Sequence, residues 1–401
     1  MAEFSSTRIA LCAFTLAALI AGNDAAAQSK QPIRIGVLTE RSGVLGEMGV
    51  HNDMGVGLAI KEINAKGGIM GRPVEIIMAD EQSDPTQAVN EARRLVEREK
   101  VDIIYGPIGS QTALAVLPIL SEAKVTNISV AGSTAFTVKV APYGFSTLPS
   151  AEAQGQQIVD FVVDHLKGKA VAILNDGGGQ AVAAGNAMEA HLQKRGVKMT
   201  GRETYASGSD DMTPQLLNLK RGNPDQLILF AQAGKDTGRV LKNLAELGWS
   251  DIKVSGNISV GSGWTTVLPI AGPEAYKNVY SANYKVLTYC TNDPVGASAF
   301  AKWVADVKAF TPPAIFPKLS PLQVSYSYDA MYIIKAAIEG AKSTKGPDVT
   351  AWLEAGNKIP GKQGTYAASK TSHFLQGPDT LVMVNRPDKA RADDLVKREG
   401  C

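Results

Sequence analysis

Two hydrophobic periods alternate along the chain and predict an α/β fold. From Ile33 onward, the segments IRIGVL, PVEIIMAD, VDIIYG and TNISVAG are short apolar runs typical of buried strands. Between them, segments such as HNDMGVGLAIKEINAKGG and DPTQAVNEARRLVEREK repeat apolar residues at helical spacing, and Asp84 followed by Pro85 is a typical helix start. Strands that alternate with amphipathic helices predict a parallel sheet covered on both faces.

The pattern pauses at APYGFSTLPSAEAQG and then begins again. AVAILND, DQLILFAQ and IKVSGNI predict the strands of a second α/β series that runs to about Ile258. Later elements, among them the helix YSYDAMYIIKAAIEGAK and the strand TLVMVNR, belong to neither series. We therefore predict an α/β protein of two doubly wound, parallel-sheet lobes, between which the chain crosses more than once.

The first residues have the features of a secretion signal. Arg8 precedes an apolar run of 13 residues, Ile9–Ala21, and AAAQ offers a cleavage site after Ala27. An uncleaved membrane anchor is the alternative, but a spanning helix needs roughly 20 apolar residues. We expect residues 1–27 to be a cleaved signal peptide and the mature protein to be exported to the periplasm.

The charge balance argues against a nucleic-acid partner. The 401 residues include 41 Lys and Arg against 39 Asp and Glu, which leaves a net charge of only +2. A nucleic-acid-binding protein usually presents a strongly basic face, and no basic run occurs here. The chain is long enough for two domains with a substantial buried core.

Two cysteines remain after the expected cleavage, Cys290 and Cys401. They could pair in an oxidising compartment. One isolated pair is nevertheless a poor framework for so large a core, because disulfide frameworks are typical of small domains. We expect no structural disulfide.

Motifs for catalysis, metals and cofactors are missing from the sequence. No G-x-S-x-G occurs, and the four histidines stand apart from any H-E-x-x-H or C-x-x-C motif. GNKIPGK has the spacing of a phosphate-binding loop, but Gln363 replaces the Ser or Thr that would hold magnesium. DGGGQ follows a predicted strand without forming a dinucleotide fingerprint, although it borders the edge where α/β sheets bind ligands. We expect no enzyme activity, no metal and no cofactor.

Small polar residues follow two neighbouring predicted strands. In YGPIGSQTALAV, Ser110 begins a helix directly after a strand, where free backbone N–H groups attract a carboxylate. AGSTA, after the next strand, offers the Ala131 carbonyl and the Ser133 hydroxyl. Both serines could instead be simple helix caps. Because adjacent parallel strands point their carboxyl ends at one crevice, we interpret the two turns as a ligand site.

The chain resembles a known family in four segments, IRIGVLTERSGVLGEMG, EINAKGGIMG, DEQSDPTQAV and GPIGS. These segments are similar to those of the leucine/isoleucine/valine-binding family of type I periplasmic binding proteins, which serve ABC importers. The resemblance implies two lobes joined by a three-crossover hinge, with residues 28–148 and 283–360 in the first and residues 149–282 and 361–401 in the second. It further implies a monomer that closes on a small-molecule ligand and delivers it to permease subunits.

The resemblance also implies a set of ligand-binding residues. Ser110, Ala131 and Ser133 match the residues that hold the ligand's carboxylate and amino group. Met48 and Gln180 replace family tyrosines, Gln323 replaces a phenylalanine, and Asn257 replaces a glutamate. The whole implied set is Ser110, Ala131, Ser133, Met48, Gly109, Gln180, Asn257 and Gln323.

The departure at Asn257 bears on the ligand. A glutamate at this position would balance a ligand ammonium, and a buried ammonium without a countercharge costs several kcal/mol. Two ligand classes follow, an amino acid or another small carboxylate such as an aromatic acid. The rival functions are an extracellular sensory module, which uses the same fold, and an α/β enzyme.

Overall fold

The computed structural model describes residues 31–401. The predicted signal peptide, residues 1–27, lies outside the described residues. Within residues 31–401, no helix combines the length and the apolar character that crossing a bilayer requires.

Strands and helices alternate along most of the described chain. The strands are β1 (Ile33–Thr39), β2 (Val74–Asp80), β3 (Ile103–Tyr105), β4 (Asn127–Ser129), β5 (Gly144–Ser146), β6 (Ala170–Asp176), β7 (Lys198–Tyr205), β8 (Gln226–Phe230), β9 (Lys253–Gly256), β10 (Val279–Tyr284), β11 (Thr288–Tyr289), β12 (Ile359–Gly361), β13 (Gly364–Tyr366), β14 (Leu381–Asn385) and β15 (Val396–Lys397). The α-helices are α1 (Glu47–Ala65), α2 (Pro85–Arg93), α3 (Ser110–Ala123), α4 (Ala151–Asp160), α5 (Gly179–Lys194), α6 (Thr213–Arg221), α7 (Gly234–Glu246), α8 (Ile258–Ser262), α9 (Trp264–Ala271), α10 (Ala299–Phe310), α11 (Pro321–Ala341) and α12 (Gly346–Glu354).

The first lobe is built on a five-stranded sheet in the order β2-β1-β3-β4-β5. All of its strand pairs are parallel. Ile35 and Val37 of β1 lie in one hydrophobic core and Leu38 lies in another, on the opposite face of the sheet. This burial on both faces is the reason that the strand is apolar almost throughout.

The second lobe is built on a six-stranded sheet in the order β14-β10-β9-β8-β6-β7. Its pairs are parallel except for the edge pair of β10 and β14, which is antiparallel. Val171 and Ile173 of β6 face one core, whereas Ala172 and Leu174 face another. Both predicted series therefore form sheets covered on their two faces.

The chain passes between the two lobes three times. It leaves the first sheet after β5 and enters the second at β6, and it returns after β10 to form α11. Helix α11 belongs to the first lobe, because the Ser327 hydroxyl donates to the Asn52 carbonyl on α1 at 3.1 Å and Tyr328 donates to Glu62 at 2.7 Å. The third passage leads to β14. The predicted two-lobed α/β fold with three crossovers is confirmed.

Residues 361–376, between α12 and β14, lie beside the first lobe. The backbone amides of Lys362 and Gln363 donate to the Asp329 carboxylate on α11, at 2.8 and 3.0 Å. Phe374 forms a parallel bridge with Ser146 at the edge of the first sheet. The division at residue 360 implied by the resemblance assigns residues 361–376 to the second lobe, whereas these contacts hold them against the first.

Cys290 and Cys401 form a disulfide, so the expectation of no structural disulfide was wrong. Strands β11 and β15 pair in parallel, and the Arg398 amide donates to the Tyr289 carbonyl at 2.9 Å. This pairing brings the two cysteines together although they are 111 residues apart in sequence, with their Cα atoms 5.3 Å from each other. Such a long-range pairing leaves no pattern in the local sequence.

Candidate ligand-binding site

A cavity of about 70 Å³ lies between the two lobes, at the carboxyl ends of both sheets. The first lobe contributes residues that follow β1, β2 and β3, and the second contributes residues that follow β6, β7 and β8. Ligands of open α/β sheets bind at this end of the strands. The cavity lining includes Glu40, Gly109, Ser110, Asp176, Ser207, Gln232 and Asp236.

The first-lobe wall contains the turn that leads from β3 into α3. Gly106 has a φ of +92°, and a Cβ at this position would lie 1.8 Å from the Leu38 carbonyl oxygen, so the turn requires glycine. The Glu40 carboxylate accepts the amides of Ile108 at 3.2 Å and Gly109 at 2.5 Å, which fixes the turn in place. The first N–H groups of α3 have no intrahelical acceptor, and they belong to Ser110, Gln111 and Thr112, which line the cavity. They can therefore bind an anion.

Ser110 connects this turn to the next one. Its hydroxyl oxygen accepts the amides of Gly132 and Ser133, each at 3.2 Å, and the side chain is 1% exposed. The Ser133 hydroxyl accepts the amide of Ala135 at 3.3 Å. Neither serine is the N-cap of a helix, because Gly109 caps α3 and Ser133 lies in a turn. The structure thus brings together the two turns that the sequence analysis singled out, with the buried Ala131 between them.

The other predicted residues lie outside the cavity lining. Met48 packs in the hydrophobic core of the first lobe. The Asn257 side-chain oxygen accepts the Ala231 amide at 3.2 Å, and the Gln323 amide donates to the Ser262 hydroxyl at 3.3 Å. Of the eight predicted residues, only Gly109 and Ser110 line the cavity.

Gln180 reaches the opposite lobe. A Cβ placed on Gly132 would lie 2.3 Å from the side-chain nitrogen of Gln180, so this side chain rests directly against the backbone of the AGS turn. The turn can approach the second lobe this closely because residue 132 is glycine. Gln180 therefore forms a contact between the lobes.

Further contacts show that the two lobes meet along the rim of the cavity. The Glu47 carboxylate on α1 accepts the amide of Gly234, the first residue of α7, at 2.5 Å. A Cβ on Gly208 would lie 3.1 Å from Val44 of the first lobe. Burial raises the pKa of Glu47, although the Gly234 amide opposes the shift. The structure is a closed arrangement of the lobes.

The second-lobe wall carries two buried aspartates that sequence reasoning missed. Asp176 ends β6 and accepts the backbone amides of Gly178 and Gln232, both at 2.7 Å. Asp236, on the first turn of α7, accepts the Gly208 amide at 2.9 Å. Burial raises the pKa of Asp176 to about 6 and also raises that of Asp236. The only signal in the sequence was DGGGQ, which begins with Asp176.

Glu81 lies near Glu40 behind the first-lobe wall, and both side chains are fully buried. Burial, together with the neighbouring Glu40 carboxylate, raises the pKa of Glu81 to about 10. Glu81 is therefore protonated at neutral pH. The Glu40 carboxylate accepts the amides of Ile108 and Gly109.

The two lobes and the cavity between them define a ligand-binding protein of the two-lobed class. Residues 32–391 match the family model described as periplasmic binding protein, and the chain belongs to that family. Its role is to bind a solute.

Similar proteins carry related names. A Leu/Ile/Val-binding protein of Rhizobium johnstonii is 25% identical over 358 residues, which cover 88% of this chain and 92% of that protein. Two solved structures share the fold. One is the branched-chain amino acid transporter substrate-binding protein of Streptococcus pneumoniae in complex with isoleucine, with a TM-score of 0.74 at 22% identity. The superposition covers 91% of this chain and 98% of that protein. A solute-binding protein of an ABC transporter from R. palustris, in complex with 4-hydroxybenzoate, has a TM-score of 0.77 at 20% identity. The superposition covers 91% of this chain and 95% of that protein.

Proposed function

We propose that this protein is the periplasmic solute-binding component of an ABC importer of the branched-chain-amino-acid type. It captures a small carboxylate-bearing solute between its lobes and does no chemistry on it. The observation that carries the proposal is the cavity in which the start of α3, with Ser110, faces the second lobe. The names of its relatives support the same role.

The carboxylate fits the first-lobe wall for electrostatic reasons. The N-terminus of a helix carries a partial positive charge and unpaired N–H donors. Helix α3 has 14 residues, and its N-cap, Gly109, contributes no side chain. The Glu40 carboxylate occupies the amides of Ile108 and Gly109 just before the helix, so the solute carboxylate is left the amides of the first turn. A solute carboxylate at this point gains charge-assisted hydrogen bonds, which are stronger than neutral ones.

A ligand screen tests the proposal. Purified protein is screened by thermal shift against amino acids, aliphatic acids and aromatic acids, and each hit is measured by calorimetry. The Ser110→Ala variant should bind each hit about 10-fold or more weakly than wild type, because the substitution disturbs the wall that holds the carboxylate. Ser121→Ala, on the same helix but away from the cavity, is the matched control. A hit that Ser110→Ala binds as tightly as wild type would contradict this placement.

Closure and the absence of chemistry are tested with the same hits. Residues from both lobes line the cavity, so the ligand is enclosed only when the lobes meet. Small-angle scattering should therefore show a smaller radius of gyration with saturating ligand. Conversion of the hit to another compound during incubation would instead favour an enzyme.

The proposed protein is exported to the periplasm and is a monomer. Expression of the full chain in a Gram-negative host should yield periplasmic protein that begins at Gln28, as N-terminal sequencing would show. Light scattering should give the mass of a monomer. Protein retained in the membrane fraction with Met1 intact would contradict the export proposal.

A further inference from the structure

Glu40 and Glu81 lie side by side at the carboxyl ends of adjacent strands. The register of β1 with β2 pairs Thr39 with Asp80, so the two glutamates are the next residues on each strand. The Glu81 amide donates to the Thr39 carbonyl at 3.2 Å, which continues this pairing beyond the last strand residues. Neighbouring strands are about 4.8 Å apart, and both glutamates are 0% exposed. Two buried carboxyl groups are therefore close to each other.

Neither glutamate forms an ion pair with a basic side chain among residues 31–401. The nearest basic residue in sequence, Arg41, pairs with the Asp53 carboxylate at 2.8 Å instead. Both oxygens of Glu40 accept backbone amides of the turn between β3 and α3, whereas neither oxygen of Glu81 has a hydrogen-bond partner in the described chain. Two carboxylates that share a buried site do not both ionise readily. The glutamate without amide donors, Glu81, is the one that keeps a proton.

The groups that act on Glu81 from the neighbouring elements are acidic or neutral. Burial, then the Glu40 carboxylate and more weakly Asp80, raise the pKa of Glu81 to about 10, while Thr112 on α3 opposes the shift. Tyr105 of β3 is also buried, and burial together with Glu40 raises its pKa well above the ordinary range. The surroundings therefore favour the neutral form of Glu81.

We propose that Glu81 is a positioning residue of the ligand site, because the proton that it holds keeps the Glu40 carboxylate on the amides of the turn between β3 and α3. Glu81 does not line the cavity, so it acts through Glu40, which does. A charged Glu81 would repel the Glu40 carboxylate, and the turn would lose the acceptor that fixes it. The inference rests on the proposed function and adds that ligand binding depends on a buried proton.

Ligand-free unfolding tests whether Glu81 holds the proton. The ordinary pKa of the side chain, 4.5, applies to the unfolded chain and lies well below the folded value. Between the two values, the unfolded state has released a proton that the folded state keeps, so unfolding becomes more favourable as the pH rises. The ratio of the unfolding constant of wild type to that of Glu81→Gln should therefore rise about 10-fold per pH unit from about pH 6 to about pH 9.

Glu97→Gln is the matched control for this measurement. It also removes one glutamate, but the Glu97 side chain is 61% exposed. The unfolding constant of Glu97→Gln should keep the wild-type dependence on pH. A ratio of wild type to Glu81→Gln that does not change with pH would overturn the proposal.

Infrared spectroscopy provides a second measurement if Glu81→Gln does not fold. At about pH 8, wild-type protein should show the carbonyl band of a protonated carboxyl group, because the pKa of Glu81 lies above this pH. Asp176 and Asp329, each with a pKa of about 6, are ionised at that pH and do not contribute. An absent band would overturn the proposal without any variant.

Ligand binding tests the effect of the proton on the site. Benzoate, L-leucine and each hit of the ligand screen are the probes, and calorimetry gives their Kd values for wild type and Glu81→Gln at about pH 7 and about pH 10.5. Titration of a probe affects both proteins alike and cancels in the ratio of the two Kd values. With a pKa of about 10, Glu81 is about three-quarters ionised at the higher pH, so the ratio of the wild-type Kd to the variant Kd should rise about 4-fold.

The two sets of measurements separate this inference from the proposed function. A pH-dependent unfolding ratio with a constant Kd ratio would overturn the positioning role and leave the proposed function standing. If wild-type protein bound none of the screened solutes, the proposed function would fail and the positioning role would fail with it. The ligand-free unfolding would still decide whether Glu81 holds the proton.

Discussion

Replacing Ser110 with alanine should weaken the ligand-free fold as well as binding. The variant removes one oxygen that accepts two backbone amides, those of Gly132 and Ser133, at 3.2 Å each. Leaving a buried donor unsatisfied costs about 1–3 kcal/mol. Because both bonds are long, we expect a loss in the middle of this range, about 2 kcal/mol, in the free energy of unfolding.

Ser133→Ala is the matched control for this prediction. Both serines are nearly fully buried, but the Ser133 hydroxyl accepts a single amide, that of Ala135, within its own turn at 3.3 Å. Its replacement should cost about 1 kcal/mol or less.

Urea denaturation of ligand-free protein checks the difference. Wild type, Ser110→Ala and Ser133→Ala are unfolded under identical conditions, and the free energies of unfolding are extrapolated to water. The slopes with urea should agree, since the buried surface is unchanged. Equal stability of Ser110→Ala and wild type would refute the reasoning that this hydroxyl joins the two turns.

Three further predictions concern closure and the disulfide. Glu47→Ala removes the acceptor of the Gly234 amide and should raise the ligand Kd about 10-fold in calorimetry; an unchanged Kd would refute a role in closure. Gly132→Ala should weaken binding, because the added Cβ would collide with the Gln180 side chain. The double variant Gly132→Ala/Gln180→Ala should then have the same Kd as Gln180→Ala alone, and a higher Kd would contradict this explanation. Cys401→Ser opens a loop of 111 residues and should lower the free energy of unfolding by about 2–4 kcal/mol in chemical denaturation. An unchanged free energy of unfolding would mean that the β11–β15 pairing, and not the disulfide, stabilises this region.

The pattern of the sequence was sufficient to predict the α/β lobes. Strands such as β1 and β6 are apolar at nearly every position because both of their faces are buried, and the helices between them repeat apolar residues at helical spacing. These are local signals, readable without knowing where the chain goes next. The pause between the two series similarly marked the first passage between lobes.

The part of the first-lobe wall that contains Gly109 and Ser110 was also predictable, because this turn is continuous in sequence with β3. GPIGS and AGSTA each follow a strand directly, and parallel neighbours bring such turns to one edge. The sequence could not show that the Ser110 hydroxyl bonds the amides of Gly132 and Ser133. That contact depends on the distance between two turns, which only the folded sheet sets.

The second-lobe wall and the long-range pairings were decided by tertiary structure alone. Asp236 follows β8 on a separate helix and meets Asp176 only because β6 and β8 are adjacent in the sheet. Cys290 and Cys401 approach each other only through the pairing of β11 with β15. An isolated aspartate or cysteine belongs to no periodic pattern and to no motif. The neighbouring sequence therefore does not indicate which distant residue the fold will bring into contact with it.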